Sequence, residues 1–93
     1  MEWKLRISKK ALKFIENLPG YQKKRVLTEI NVLLENLNKG SIPIHSMDIK
    51  RLKGKWSGFL RLRIGDLRVI FRLDIEKMEV IIYHIHHRGR VYK

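Results

Sequence analysis

Apolar and polar residues alternate through the first seven positions. Trp3, Leu5 and Ile7 fall on one side of an extended chain, Lys4 and Arg6 on the other. Period two over this length predicts a half-buried strand at 1–7. From Ser8 the period lengthens. Ser8 stands where an N-cap is expected, and Ala11, Leu12, Ile15 and Leu18 recur at helical spacing with Phe14 beside them. Pro19-Gly20 stops that helix. Val26, Ile30, Leu33 and Leu37 then mark a second helix from Tyr21 to Asn38, and Leu27 and Leu34 widen its stripe into a core-facing surface. Asn38-Lys39-Gly40 is a helix terminus. The short link predicts an αα-hairpin.

Ser41–Asp48, with Pro43 and His45, is loop-like, and after it the period returns to two. Strands are predicted at Ile49–Leu52, Phe59–Ile64, Leu67–Leu73 and Met78–Ile85, separated by Lys53-Gly54-Lys55, Gly65-Asp66 and Asp74–Lys77. Such short connections favour antiparallel neighbours. The order β-α-α-β-β-β-β predicts an α+β fold, an antiparallel sheet with an N-terminal αα-hairpin on one face. No repeat, low-complexity segment or domain boundary interrupts it, so residues 1–93 form one domain.

Pairing across Gly65-Asp66 separates the side chains by chemistry. With a two-residue turn, Ile64 faces Leu67, Arg63 faces Arg68, Leu62 faces Val69, Arg61 faces Ile70 and Leu60 faces Phe71. One face collects Leu60, Leu62, Ile64, Leu67, Val69, Phe71 and Leu73; the other collects Phe59, Arg61, Arg63, Arg68, Ile70 and Arg72. Like charges set opposite each other in a ladder repel. Four arginines without a carboxylate on one face therefore point to an anion. The planar guanidinium fork binds phosphate bidentately, so this is read as a phosphate-binding face.

Composition agrees with that placement. The chain carries 21 Lys+Arg against 9 Asp+Glu, a net charge of +12, with nine against five in residues 1–48 and twelve against four in residues 49–93. This excess selects a polyanionic or acidic partner. At 44% hydrophobic residues the chain is not a disordered tail. No apolar run approaches membrane-spanning length, no signal peptide is visible, and a membrane role is not expected. The absence of cysteine excludes disulfides, thiolate metal sites and thiol nucleophiles, and is consistent with a reduced, cytoplasmic setting.

Near the C-terminus stand His84, His86, His87, Arg88, Arg90 and Tyr92. Alternation puts His84 and His86 on one strand face and His87 on the other. No Asp, Glu or Cys accompanies them to complete a metal site. The cluster reads as acid/base or nucleobase-contacting, since imidazole titrates near neutrality and stacks on bases. Trp3 and Trp56 read as packing residues, with a strand edge beside Gly58 the alternative for Trp56.

These features together resemble the RelE/ParE superfamily of toxins, and RelE-type mRNA interferases in particular. The resemblance is carried by Ser8-Lys9-Lys10-Ala11-Leu12-Lys13 and by Leu52-Lys53-Gly54. It continues in the block from Arg61 to Phe71, then in His87-Arg88 and Val91-Tyr92. It spans nearly the whole chain in order. It implies a RelE-like microbial ribonuclease fold and a toxin neutralised by a cognate, RelB-like antitoxin. The implied activity is cleavage of mRNA in the ribosomal A site by metal-free attack of the ribose 2′-OH on the adjacent phosphate, with no cofactor.

Carried over by position, the resemblance implies catalytic roles for Arg61, Arg68, Arg88 and Tyr92. Arginine stays protonated, so the arginines are assigned to phosphate binding and charge stabilisation. Acid/base work then falls to His87, His84, His86 or Tyr92, and is expected of His87 or of Tyr92. Lys53, Lys55, Phe59, Arg63, Arg72, His84, His86 and Arg90 are expected to contact RNA. Phe59 and Arg61 stand where some members of the family have lysines, and a stacking role suits Phe59. The rival readings are a ParE-type inhibitor of DNA gyrase and a catalytically weak RNA-binding relative.

Overall fold

Strand β1 (Lys4–Ile7) opens the chain in a computed structural model that describes residues 2–87. Leu5 and Ile7 turn toward the core while Lys4 and Arg6 stay in water. Ser8 caps helix α1 (Lys9–Glu16): its Oγ accepts from the Ala11 N–H at 3.1 Å and donates to the Tyr83 carbonyl at 2.8 Å. Pro19 precedes helix α2 (Gly20–Asn38), which packs beside α1 as the predicted hairpin.

The buried stripes are narrower than the sequence suggests. Ala11, Ile15 and Leu18 of the first segment and Val26, Ile30, Leu33 and Leu37 of α2 are buried, but Leu12 and Leu27 are 44% and 46% exposed. The sheet covers only one side of each helix, so a residue one step round the helix faces solvent. Pro43 and Met47 are buried in the connector that follows.

Strands β2 (Ile49–Arg51), β3 (Leu60–Ile64), β4 (Leu67–Asp74) and β5 (Glu79–His87) form an antiparallel meander. A short 3-10 turn, Gly54–Trp56, occupies the predicted turn between β2 and β3. The sheet order is β1-β5-β4-β3-β2. It is mixed, because β1 lies parallel to β5. Three successive reversals carry the chain from β2 back to β5, which reaches β1 running in the same direction. The two helices carry the chain from β1 at one edge of the sheet to β2 at the other, and the meander then brings β5 back beside β1.

The β3–β4 register is the predicted one throughout, from Ile64↔Leu67 to Leu60↔Phe71. Gly65 has φ +56 and Asp66 does not share the positive sign, which is the type II′ pattern suited to twisted strands. Leu62, Ile64, Leu67, Val69 and Phe71 join the helix stripes in one core. The core thus occupies one face of the sheet, and no helix among the described residues packs on the other.

Candidate nucleic-acid interface

The helix-free face is organised in rows across the strands. In one row, Lys50 of β2, Arg61 of β3, Ile70 of β4 and His84 of β5 are successive partners. In the next, Arg63, Arg68 and His86 are successive partners. Neighbouring strands lie about 4.8 Å apart, so Arg63 and His86 stand roughly 10 Å from each other with Arg68 between. Arg72 lies further along the same face, beside Ile81, and is exposed.

This face is not a fully solvated one. Ile70 is completely buried and Arg61 is 8% exposed. Arg61 has a partner that the sequence did not reveal: its Nη2 donates to Asp48 Oδ1 at 2.8 Å. The expectation of a face without a carboxylate is therefore corrected. Asp48 precedes β2 and looked like loop, but the Arg63 N–H donates to its carbonyl at 2.9 Å, which extends the β2–β3 pairing by one step and aims its side chain at Arg61. Among the described residues, the buried Nε atoms of Arg61 and Arg68 have no hydrogen-bond partner. An unpaired buried donor carries the cost of its desolvation until an acceptor arrives.

The histidines divide as alternation predicts. His84 and His86 share the arginine face, their ring centroids 5.5 Å apart. His86 is buried, and its Nδ1 lies 3.1 Å from the His87 carbonyl, a hydrogen bond in the forms of the ring that carry a proton on Nδ1. Burial first, then the Lys10 ammonium and the neighbouring His86, hold His84 below its ordinary pKa of 6.5, so its neutral ring is the prevailing form near pH 7. His87 is elsewhere: it pairs with Leu67 on the helix side of the sheet, 5.3 Å from the Phe14 ring. The structure does not bring His87 together with the arginines. Arg88, Arg90 and Tyr92 lie outside the described residues.

A β-bulge shapes the end of the first row. Ile70 pairs with His84 but Phe71 pairs with Ile82, so Tyr83 is an extra residue in β5. The bulge lets Tyr83 and His84, adjacent in sequence, both avoid the core. Tyr83, Phe59 and Trp56 meet edge to face, with centroids 5.2 Å apart for Phe59–Tyr83 and Trp56–Phe59 and 6.1 Å for Trp56–Tyr83. Trp56, read from sequence as a packing residue, is half-buried in this aromatic cluster, while Trp3 packs against the core. Lys53 and Lys55 are exposed on the connection that carries Trp56. Among the described residues no three His, Asp or Glu side chains converge, so His84 and His86 have no third partner for a metal.

Comparison with known proteins places these features in a lineage. The family model described as the ParE toxin of the type II toxin–antitoxin system parDE matches residues 5–92. A Methanocaldococcus jannaschii protein assigned as toxin RelE1 is 34% identical over 93 residues, covering 100% of this chain and 98% of its own. The crystal structure of the archaeal RelE–RelB complex from Pyrococcus horikoshii OT3 superimposes with a TM-score of 0.77 at 26% identity, covering 98% of this chain and 100% of that one. The isolated E. coli RelE toxin shares the fold at 18% identity, with a TM-score of 0.72 over 96% of this chain and 87% of that one.

Proposed function

Because the chain belongs to the RelE/ParE family of toxins from type II toxin–antitoxin pairs, we propose that it is a cytoplasmic, ribosome-dependent endoribonuclease that cuts mRNA in the A site. The observation that carries this reading is the pair of rows that set Arg61, Arg63 and Arg68 against His84 and His86 on the helix-free face.

Cleavage by the ribose 2′-OH needs a base for that hydroxyl, positive charge around the phosphorane, and an acid for the departing 5′-oxygen. Neutral His84 accepts the 2′-OH proton. The alkoxide then attacks phosphorus and the P–O5′ bond breaks, which leaves a 2′,3′-cyclic phosphate and a 5′-hydroxyl. Arg63 and Arg68 neutralise the added negative charge, and the unpaired Arg68 Nε suits an incoming phosphate oxygen. Arg61, held by Asp48, forms the floor of the site. Proton delivery to O5′ is assigned to His86 or Tyr92, and further phosphate contacts to Lys53, Lys55, Arg72, Arg88 and Arg90. His87 faces away from the arginines and is given no role in proton transfer.

The partner is a cognate antitoxin, a reading supported by the RelE–RelB complex that the fold matches. A net charge of +12 favours an acidic antitoxin segment that covers this face and competes with RNA. A second reading, inhibition of DNA gyrase, is favoured by the ParE description of the matching family model.

Primer extension on a message in a reconstituted translation reaction separates the two. Discrete cuts within ribosome-bound codons, reduced at least a hundredfold by Arg68→Ala, are expected. Intact message together with loss of gyrase supercoiling would establish the rival.

A further inference from the structure

The aromatic cluster at the end of the first row has no part in the chemistry above. Its geometry suggests one. Buried aromatic clusters are ordinary core, but this one lies outside the core, beside the start of α1. Tyr83 is 51% exposed, and the β-bulge turns it outward beside His84 instead of into the sheet. A shallow pocket is lined by Lys10, Trp56, Tyr83 and His84. It therefore combines an aromatic wall, an ammonium group from α1 and the imidazole at the end of the arginine row.

We propose that Tyr83, with Trp56 and Phe59 behind it, forms a stacking platform for an unpaired nucleobase, and that Lys10 binds the phosphate attached to that nucleotide. The inference rests on the reading of this face as RNA-binding. Every base offers a π-face, so the platform holds a base without reading its identity. The edge-to-face contacts with Phe59 and Trp56 hold the Tyr83 ring still, which reduces the ordering cost when a base arrives. A nucleotide seated there brings the neighbouring phosphodiester along the row toward Arg61 and His84. The bulge would then serve to position substrate as well as to bend the strand.

The test uses the full chain and a fluorescein-labelled hexanucleotide of unpaired RNA with 2′-O-methyl riboses, which cannot be cut. Binding is read by anisotropy at fixed salt, alongside a matched set with one abasic residue at each position in turn. Wild-type protein is expected to bind the intact strand about tenfold more tightly than at least one abasic strand. Tyr83→Ala is expected to abolish that difference, Tyr83→Phe to retain it, and Lys10→Gln to weaken intact and abasic strands alike. Circular dichroism melting of each variant checks that its fold is retained.

Equal binding of intact and abasic strands by the wild type overturns the platform, as does a Tyr83→Ala variant that still tells them apart. No binding of any strand overturns it as well. Failure of the nuclease reading looks different: uncut message in translation, with base-dependent binding of the hexanucleotide intact.

Discussion

His84 is the residue whose environment most directly controls the proposed chemistry. Lys10 from α1, His86 on its own strand, Tyr83 beside it and Arg61 across Ile70 are the charged or titratable groups around it. Burial, Lys10 and His86 all disfavour the imidazolium, so the folded pKa lies below 6.5. The unfolded chain then holds this proton more tightly than the folded one. The contribution of His84 to stability is complete above pH 6.5 and is lost as pH falls from there through the folded pKa. Proton NMR of the imidazole Cε1–H is expected to show a midpoint below 6.5 that moves up toward 6.5 in Lys10→Gln. The acidic limb of the cleavage rate is expected to move with it. A midpoint unchanged in that variant would remove Lys10 from the site's electrostatics.

At the scale of elements, Ser8 joins three of them. It follows β1, its Oγ caps α1, and the same hydroxyl bonds to the carbonyl of Tyr83 in the bulge of β5. Ser8→Ala removes both bonds. A destabilisation of about 1–2 kcal/mol in urea unfolding is expected. Because the Tyr83 carbonyl loses its partner, hydrogen exchange is expected to rise in the bulge as well as in the first turn of α1. A purely local cap would raise exchange in α1 alone.

Most of this level was legible beforehand. The cap at Ser8, both helices and the whole β3–β4 register follow from short-range pattern, because a two-residue turn leaves a hairpin one register. The bulge was not legible, since His84, Ile85 and His86 alternate normally and the irregularity is set by what β4 presents to β5. The parallel β1–β5 pairing was hidden for a similar reason: its partners are about 75 residues apart, as with Lys4 and Glu79.

For the whole molecule the positive charge sets stability against the proposed RNA binding. Arg63 stands directly opposite Arg68, in a chain of net charge +12. Arg63→Thr is expected to raise stability by about 0.5 kcal/mol, because a repulsive cross-strand pair is replaced by a good strand residue. The same change is expected to weaken RNA binding and to lower the slope of log K against log salt by about 0.7, the value for one phosphate contact on a single strand. Chemical denaturation and a salt titration of oligonucleotide binding measure the two effects. A variant that is less stable yet binds normally would mean that Arg63 packs, and does not wait for phosphate.

Sequence by itself determined the elements, the face on which each β3 and β4 side chain lies, and the concentration of arginine on one of those faces. These are consequences of local period and turn length, which act over a few residues. Tertiary structure decided which of those charges are available and what stands beside them. It brought Asp48 onto Arg61, carried His84 and His86 to the arginine rows, and left His87 against Phe14. It also gathered Trp56, Phe59 and Tyr83 into one partly exposed cluster. Each of these contacts joins separate elements, so its geometry depends on the packing of the whole sheet, which no window of sequence contains.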